Sequence, residues 1–348
     1  MNKESILLED LERIESDCGN VLESLRNKKI FLTGGTGFIG RWFLNFISHL
    51  NKKNFNIYVK ILTRDIEKFK KNYKDIYLSK NFVFQSGDVL NFIEDNSEVF
   101  DYVIHGATDA SAYITENFPI RMFDTIVMGT RNILDFAIRV KTKKFLHLSS
   151  GAIYGNQPFD VKHIPESYLG GPVTTDPKAT YAEGKRASEM LCAIYSKTYG
   201  IHFSIARIFA ILGPMLSLDI HFAAGNFIRD ALSNKKIIIE GNGKPIRSYI
   251  YPSDLISALV LILTNGKSGA AYNVGSEESL SIYELANLIS KVLQSDAGVE
   301  VKNYDDKGWN IGRYVPSTSL IEKELNFKRN IDIETAILRT GIWNGWKN

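Results

Sequence analysis

Tyr181 and Lys185 stand four residues apart in the run Tyr181-Ala-Glu-Gly-Lys185, and Leu148-Ser149-Ser150 precedes them. On a helix this spacing puts a phenol and an ammonium one turn apart on one face. A nearby cation makes the phenolate easier to form, so such a tyrosine can exchange a proton near neutral pH. The lysine can also hydrogen-bond a cofactor ribose, and a serine hydroxyl at a strand end can steady the same substrate oxygen. Together the three meet the needs of hydride transfer to or from a secondary alcohol. With 16 tyrosines in 348 residues, about one Tyr-x-x-x-Lys pair is expected by chance, so its surroundings decide.

The elements that must bring these stretches together are visible as changes of period. Ile30-Phe31-Leu32 reads as a short buried strand running into Thr33-Gly34-Gly35-Thr36-Gly37-Phe38-Ile39-Gly40, with a helix over 41–50. Further strands are expected over 57–62, 81–85, 102–105, 145–148 and 203–208, and long helices over 122–140 and 181–199. Short apolar strands alternating with helices imply a parallel sheet covered on both faces, a Rossmann-like doubly wound α/β domain. Beyond about Arg207 the pattern is less regular, with helices near 227–233, 254–264, 282–293 and 333–340. The expected division is a helical extension over 1–27, a dinucleotide-binding domain over 28–206, and a smaller α/β substrate domain over 207–348, some segments of which return to the first. In the extension, Leu7, Leu11, Ile14, Cys18, Val21 and Leu25 draw one apolar stripe. Docking on its own subunit is the simpler expectation, contact with a second copy the sharper one.

Gly34, Gly37 and Gly40 fall at a strand-to-helix junction, where they permit a tight turn, close approach of a pyrophosphate and helix–strand packing, with phosphates facing a helix N-terminus. An acidic residue ending the second strand would accept a hydrogen bond from the ribose of NAD. Here the strand ends Leu62-Thr63-Arg64-Asp65. Thr63 and Arg64 suit a 2′-phosphate, so NADP is expected, with NAD as the alternative should Asp65 turn inward. Asp88 and Val89, after the third strand, are placed for the adenine edge; a turn-forming aspartate is the competing reading.

A formal net charge of +3 with short, scattered lysine clusters gives no stripe for nucleic acid and no attraction to an anionic membrane. Two distant cysteines without metal-ligand neighbours suggest a reducing compartment, no disulfide framework and no metal site. No signal peptide or apolar run of bilayer-spanning length is visible. A cytoplasmic protein is expected.

In combination these motifs resemble the extended short-chain dehydrogenase/reductase family, in its nucleotide-sugar epimerase/dehydratase branch. The resemblance runs from Lys28 to the C-terminus through Thr33–Gly40, Gly87-Asp88-Val89, His105-Gly-Ala107, Ser149–Gly155, Tyr181–Lys185, Arg207-Ile-Phe209, Gly213-Pro214, Arg247–Tyr251, Asp254, Tyr272–Gly275 and Arg313–Pro316. It implies Tyr181 as acid/base, Lys185 as ribose ligand and phenol activator, and Ser150, four before Tyr154, on the reacting sugar oxygen. It also implies Gly34, Gly37, Phe38, Ile39, Gly40, Thr63, Arg64, Asp88, Val89, Ala107 and Lys185 around the cofactor. Asp109, Ser111 and Asn226 are implied near the substrate, with Arg247 and Arg313 on its diphosphate, where a planar guanidinium forks onto phosphate oxygens. A homodimer through the helix bearing Tyr181 and the preceding long helix is also implied.

Departures from the family pattern bear on the reaction. Sugar 4,6-dehydratases, and the corresponding decarboxylases, keep a Glu between the catalytic Ser/Thr and the Tyr-Gly, whereas this chain has Gly151-Ala152. Ile126 and Ala210 replace Asn residues of the pattern. The expected activity is therefore NAD(P)-dependent epimerisation or ketoreduction of a nucleotide-diphosphate sugar at one carbinol, C4 being the expected position. A 4,6-dehydratase drawing on another acid, Asp109 or Glu183, is the alternative, and a dinucleotide sensor without chemistry is the alternative from another class.

Overall fold

Alternation along β1 shows how the sheet is built: Ile30 and Leu32 enter the core on one face, Phe31 the core on the other. The computed structural model describes residues 1–92, 98–108, 112–219, 223–303 and 312–347. Its first half runs α1 (Lys3–Cys18), β1 (Lys29–Thr33), α2 (Phe38–Lys52), β2 (Tyr58–Thr63), α3 (Ile66–Asn72), α4 (Lys74–Tyr77), β3 (Phe82–Ser86), β4 (Tyr102–His105), α5 (Ala112–Asn117), α6 (Pro119–Arg139), β5 (Lys144–Ser150), α7 (Thr180–Tyr199) and β6 (Phe203–Ile208). Then come α8 (Ala223–Leu232), β7 (Ile237–Ile239), β8 (Ile246–Ser248), α9 (Pro252–Asn265), β9 (Ala271–Val274), β10 (Ser279–Ser281), α10 (Ile282–Val292), β11 (Val299–Val301), β12 (Arg313–Tyr314), α11 (Ser319–Leu325) and α12 (Ile333–Trp343).

The main sheet has the order β3-β2-β1-β4-β5-β6-β9, and every pairing in it is parallel. The strand order reverses between β1 and β4, which opens a crevice at their carboxyl ends. All seven residues of β5 are buried, as a strand covered on both faces requires. Two small sheets, β10-β8-β12 and β11-β7, belong to the later part of the chain.

β9 and α9 return to the main body. Every residue of α9 from Pro252 to Leu263 is buried, so this helix needs cover on each side. α1 supplies the outer cover on the same subunit. The expected single helix is broken at Gly19, whose φ of 51° ends α1 and starts a 3₁₀ turn over Gly19–Leu25. Of the expected stripe, Leu11, Ile14, Cys18 and Leu25 are buried and Leu7 and Val21 pack half-buried against the core, while past the break Leu22 is buried in place of Val21. Asp10 fixes the docking: it accepts a hydrogen bond from the Tyr251 hydroxyl at 2.6 Å and pairs with Arg339 of α12. Glu15 meets His49 of α2 at 2.8 Å. Among the described residues, no helix is long and apolar enough to cross a membrane.

Candidate active site

The glycine turn closes on the crevice. Gly34 has φ 75°, and a Cβ there would lie 2.6 Å from the Gly106 carbonyl carbon. A Cβ on Gly40 would lie 2.4 Å from the Gly35 Cα, so the third glycine serves close helix–strand contact. Gly37 caps α2, which begins with Phe38 and Ile39. The Thr33 hydroxyl receives the N–H groups of Gly106 and Ala107 at 3.2 Å each and meets His105 Nδ1 at 2.7 Å, which ties the ends of β1 and β4 together. This cradle, which side chains would fill, leaves backbone N–H groups at the start of α2 for a pyrophosphate, so the residues present fit a dinucleotide.

At the adenosine side, Thr63 is buried and meets the Thr36 hydroxyl at 3.2 Å, while Arg64 is exposed. Asp65 does not turn inward: its carboxylate caps α3 by accepting the Lys68 N–H at 2.9 Å. Asp88 accepts the Leu90 N–H at 3.0 Å, a turn-forming bond that leaves its second oxygen for other work. Val89 is buried beneath it.

Ser150, Tyr181 and Lys185 come together at the carboxyl end of β5 and the start of α7. Ser150 accepts the Ala152 N–H at 3.1 Å and lies near enough to Tyr181 to draw its phenol down. Ser149, its neighbour, points to the other side and donates to Glu189 at 2.6 Å. Lys185 is buried and donates to the Leu148 carbonyl at 2.8 Å; burial pushes its ammonium down to about 8. Lys185 Nζ stands 5.9 Å from the Tyr181 ring centroid; burial pushes the phenol above its ordinary value, and Ser150 draws it back.

A buried polar network holds this end of β5. Arg207 forks onto Glu189, with Nη2–Oε2 at 2.7 Å, and donates to the Tyr154 hydroxyl at 2.8 Å. Tyr154 in turn donates to Asn273 at 2.8 Å. His147 and His105 are stacked at 5.6 Å, and burial together with the Lys185 charge keeps both neutral.

The residues expected around the sugar divide. Asp109 and Ser111 lie outside the described residues. Asn226, on α8, has its carbonyl oxygen engaged by Arg229 at 3.2 Å. Arg247 lies between Tyr249 and Tyr314 and donates to the carbonyls of Ile246 and Gly312 at 2.9 and 2.7 Å. The structure does not bring Arg313 beside it. The parallel register pairs Tyr314 with Arg247 and Arg313 with Ile246, so the two arginines face opposite ways. Arg313 instead lines a cavity of about 660 Å³ with Phe159, Lys162, Lys244, Ile246 and Tyr283. Glu183, the other carboxylate considered as an acid, pairs with Arg186 at 3.7 Å.

Sequence reasoning missed Tyr314 and its support. The Tyr314 hydroxyl lies close to Ser150, and its ring lies 4.6 Å from that of Phe209. Phe209 itself covers Gly151, where a Cβ would come within 2.5 Å of its ring. The Arg-Tyr-Val-Pro run was the available signal, but nothing in its spacing points to Ser150. Among the described residues, no group of three His, Cys, Asp or Glu could hold a metal ion.

The burial of Lys185 has a measurable consequence. An amine near 10.4 in the unfolded chain and about 8 here costs stability below pH 8, a penalty that fades as pH rises toward the unfolded value. Lys185→Met is expected to raise unfolding free energy at pH 7 by about 1–3 kcal/mol. The gain should shrink above pH 8 in urea titrations. A variant destabilised equally at every pH would contradict this balance.

A family profile described as the NAD dependent epimerase/dehydratase family matches residues 30–275. UDP-glucuronic acid decarboxylase 1 of Arabidopsis thaliana is 30% identical over 318 residues, covering 89% of this chain and 68% of its own length. UDP-glucuronic acid decarboxylase 1 of Xenopus tropicalis is 31% identical over 272 residues, covering 77% of this chain and 61% of its own. The chain thus spans about two thirds of the length of these curated relatives. Among solved structures, a UDP-glucuronic acid 4-epimerase from Bacillus cereus, in complex with UDP-glucuronic acid and NAD, superposes with a TM-score of 0.76 at 23% identity, over 90% of this chain and 98% of that one. The shared fold, the glycine turn and the extent of the match place this chain in the NAD dependent epimerase/dehydratase family.

Proposed function

We propose that the protein oxidises or reduces one carbinol of a nucleotide-diphosphate sugar, C4 being the expected position, either transiently as an epimerase or in net fashion as a ketoreductase. The observation that carries this reading is the meeting of Ser150 and Tyr181 at the carboxyl end of β5, beside the glycine crevice, with no titratable side chain at Gly151 or Ala152. A dinucleotide held by Gly34, Gly37, Gly40 and the α2 N-terminus supplies hydride acceptance and return. Ser150 orients the reacting oxygen. Tyr181 takes its proton as the carbinol becomes a ketone and gives one back in the reverse direction. Arg247 is the cation available to the diphosphate.

Tyr181→Phe is expected to cut turnover of UDP-glucose or UDP-glucuronic acid by roughly 10²–10⁴-fold while leaving the unfolding transition in place; undiminished turnover would sink the proton-transfer role. Loss of NADPH in step with product marks a ketoreductase, and turnover at catalytic cofactor marks an epimerase.

Decarboxylation is the second reading, favoured by the names of the relatives. A C4 ketone makes a C6 carboxylate a β-keto acid, so loss of CO₂ requires only a proton delivered to C5. Release of CO₂ from UDP-glucuronic acid would establish that route.

The exposed Arg64 and the capping role of Asp65 support NADP over NAD. Calorimetry should give a lower Kd for NADPH than for NADH, and the reverse order would defeat the assignment. A homodimer is supported by apolar side chains exposed on α6 and α7, Ile120 at 78% and Met190 at 62% among them, with Phe123 and Ile194. Replacing Met190 and Ile194 together by Glu should convert dimer to monomer in sedimentation equilibrium. A wild-type monomer at micromolar concentration would rule the dimer out.

A further inference from the structure

The small sheet β10-β8-β12 has two faces, and the candidate active site uses one of them. Arg247 and Tyr314 share that face, while Ile246 and Arg313 share the other, where the cavity of about 660 Å³ opens. Its wall carries Lys162, Lys244 and Arg313 against a single carboxylate, Glu284. That carboxylate is committed: its Oε2 accepts the Ser281 N–H at 2.7 Å and the Ser281 hydroxyl at 2.9 Å. Among the described residues, Arg313 Nε is buried without a hydrogen-bond partner, and neither Arg313 nor Lys162 has an ion-pair partner. A guanidinium N–H taken out of water and left unpaired is costly, and such groups are few in folded proteins.

A buried brace brings the two cations to one cavity. Gln157 accepts the Val315 N–H at 2.9 Å and donates to the carbonyls of Val161 and Lys162 at 2.8 and 3.2 Å. It thereby joins the loop bearing Lys162 to the strand bearing Arg313. The first turn of α10, on the same wall, offers no backbone donor. The N–H groups of Ile282 and Tyr283 go to the carbonyls of Pro245 and Gly243 at 2.9 Å each, and that of Glu284 goes to the Ser281 hydroxyl at 3.1 Å. An anion in this cavity is therefore held by side chains. Beside the cations stand two solvent-facing rings, Phe159 at 75% and Tyr283 at 50% exposure, either of which gives a base a surface to stack on.

We propose that this cavity is a second ligand site, separate from the catalytic crevice, and that it takes a nucleoside phosphate, with the phosphate on Arg313 and Lys162 and the base on the ring of Phe159 or Tyr283. The guanidinium fork matches phosphate oxygens, and the volume is that of a small-molecule site. The site goes beyond the reaction proposed above and does not depend on it, because Ser150, Tyr181 and Arg247 do not line the cavity.

The test is titration calorimetry of the full chain with UMP, inorganic phosphate and uridine as separate probes. The wild type should show a UMP site that Lys162→Glu and Arg313→Gln each weaken by roughly 10–100-fold and that Arg247→Ala leaves unchanged. At that site UMP should bind at least about tenfold more tightly than phosphate or uridine alone. Near-UV circular dichroism and the urea midpoint check that each variant is folded; Lys162 is exposed, so its variant decides the matter should Arg313→Gln not fold. In crystals grown with 5-bromo-UMP, a bromine anomalous peak should lie beside Phe159 or Tyr283. UMP binding that Lys162→Glu leaves unchanged overturns the proposal, as does a bromine peak confined to the Arg247 face. Phosphate bound as tightly as UMP at the Lys162-dependent site overturns the nucleoside assignment. A nucleotide-sugar site lost in Arg247→Ala belongs to the functional reading above. Its absence would count against that reading alone, and its presence without the Lys162-dependent site would count against this proposal alone.

Discussion

The contact of the Phe209 ring with Gly151 sets the character of the candidate site. A side chain at 151 would collide with that ring, so position 151 has no room for a carboxylate, and the next position holds Ala152. The same ring presents its other face to Tyr314. One aromatic side chain therefore closes position 151 to any side chain and packs against Tyr314 of another element. Phe209 follows directly on β6, whose register with β5 pairs Ile208 with Ser150. The parallel sheet thus determines where the ring falls, and the ring determines what Ser150 can touch.

Beneath this surface the site depends on charge kept out of water. Lys185 is enclosed with a backbone carbonyl as its hydrogen-bond partner, and its nearest carboxylate influence, Glu189, is already committed to Arg207 and Ser149. Such an ammonium carries a desolvation penalty that no ion pair offsets, an arrangement more typical of functional sites than of scaffolds. His105, stacked on His147, is tied through Nδ1 to Thr33 beside the phosphate turn, and both rings stay neutral beside the Lys185 charge. Stability is given up here for position: the site holds a group the fold would be sturdier without.

Much of the scaffold was legible because local periods encode it. The apolar runs over 102–105 and 203–208 coincide with β4 and β6 to the residue, and the three glycines stand where a strand-to-helix turn needs them. What could not be read is what tertiary pairing decides. β9 joins the edge of the main sheet beside β6, although nothing local to 271–274 says which strand it will meet. Arg247 and Arg313 look equivalent as basic residues in two short strands, yet a single register places them on opposite faces. Lys185 was correctly seen to share a helical face with Tyr181, but spacing carries no information on burial, and burial determines which way the phenol shifts. The break at Gly19 was equally hidden, since the hydrophobic stripe continues through it.

The decarboxylase relatives and the missing carboxylate are compatible once the reaction is divided into its protons. Making a ketone at C4 requires one base, the role proposed here for Tyr181 with Ser150. Everything that distinguishes the later outcomes, whether the ketone is simply reduced again, loses water or loses carbon dioxide, depends on a second proton delivered to C5 or taken from it. Similarity at about 30% identity follows the shared first step and the sheet that positions it, while the second proton is controlled by two or three side chains that contribute almost nothing to an alignment. In this chain the positions that would supply it hold Gly151 and Ala152, and the Tyr314 phenol close to Ser150 is kept protonated by its burial. A phenol that remains protonated can orient and donate, but it is a poor base, which is why the proposed reading returns hydride to the ketone and does not abstract a proton from carbon.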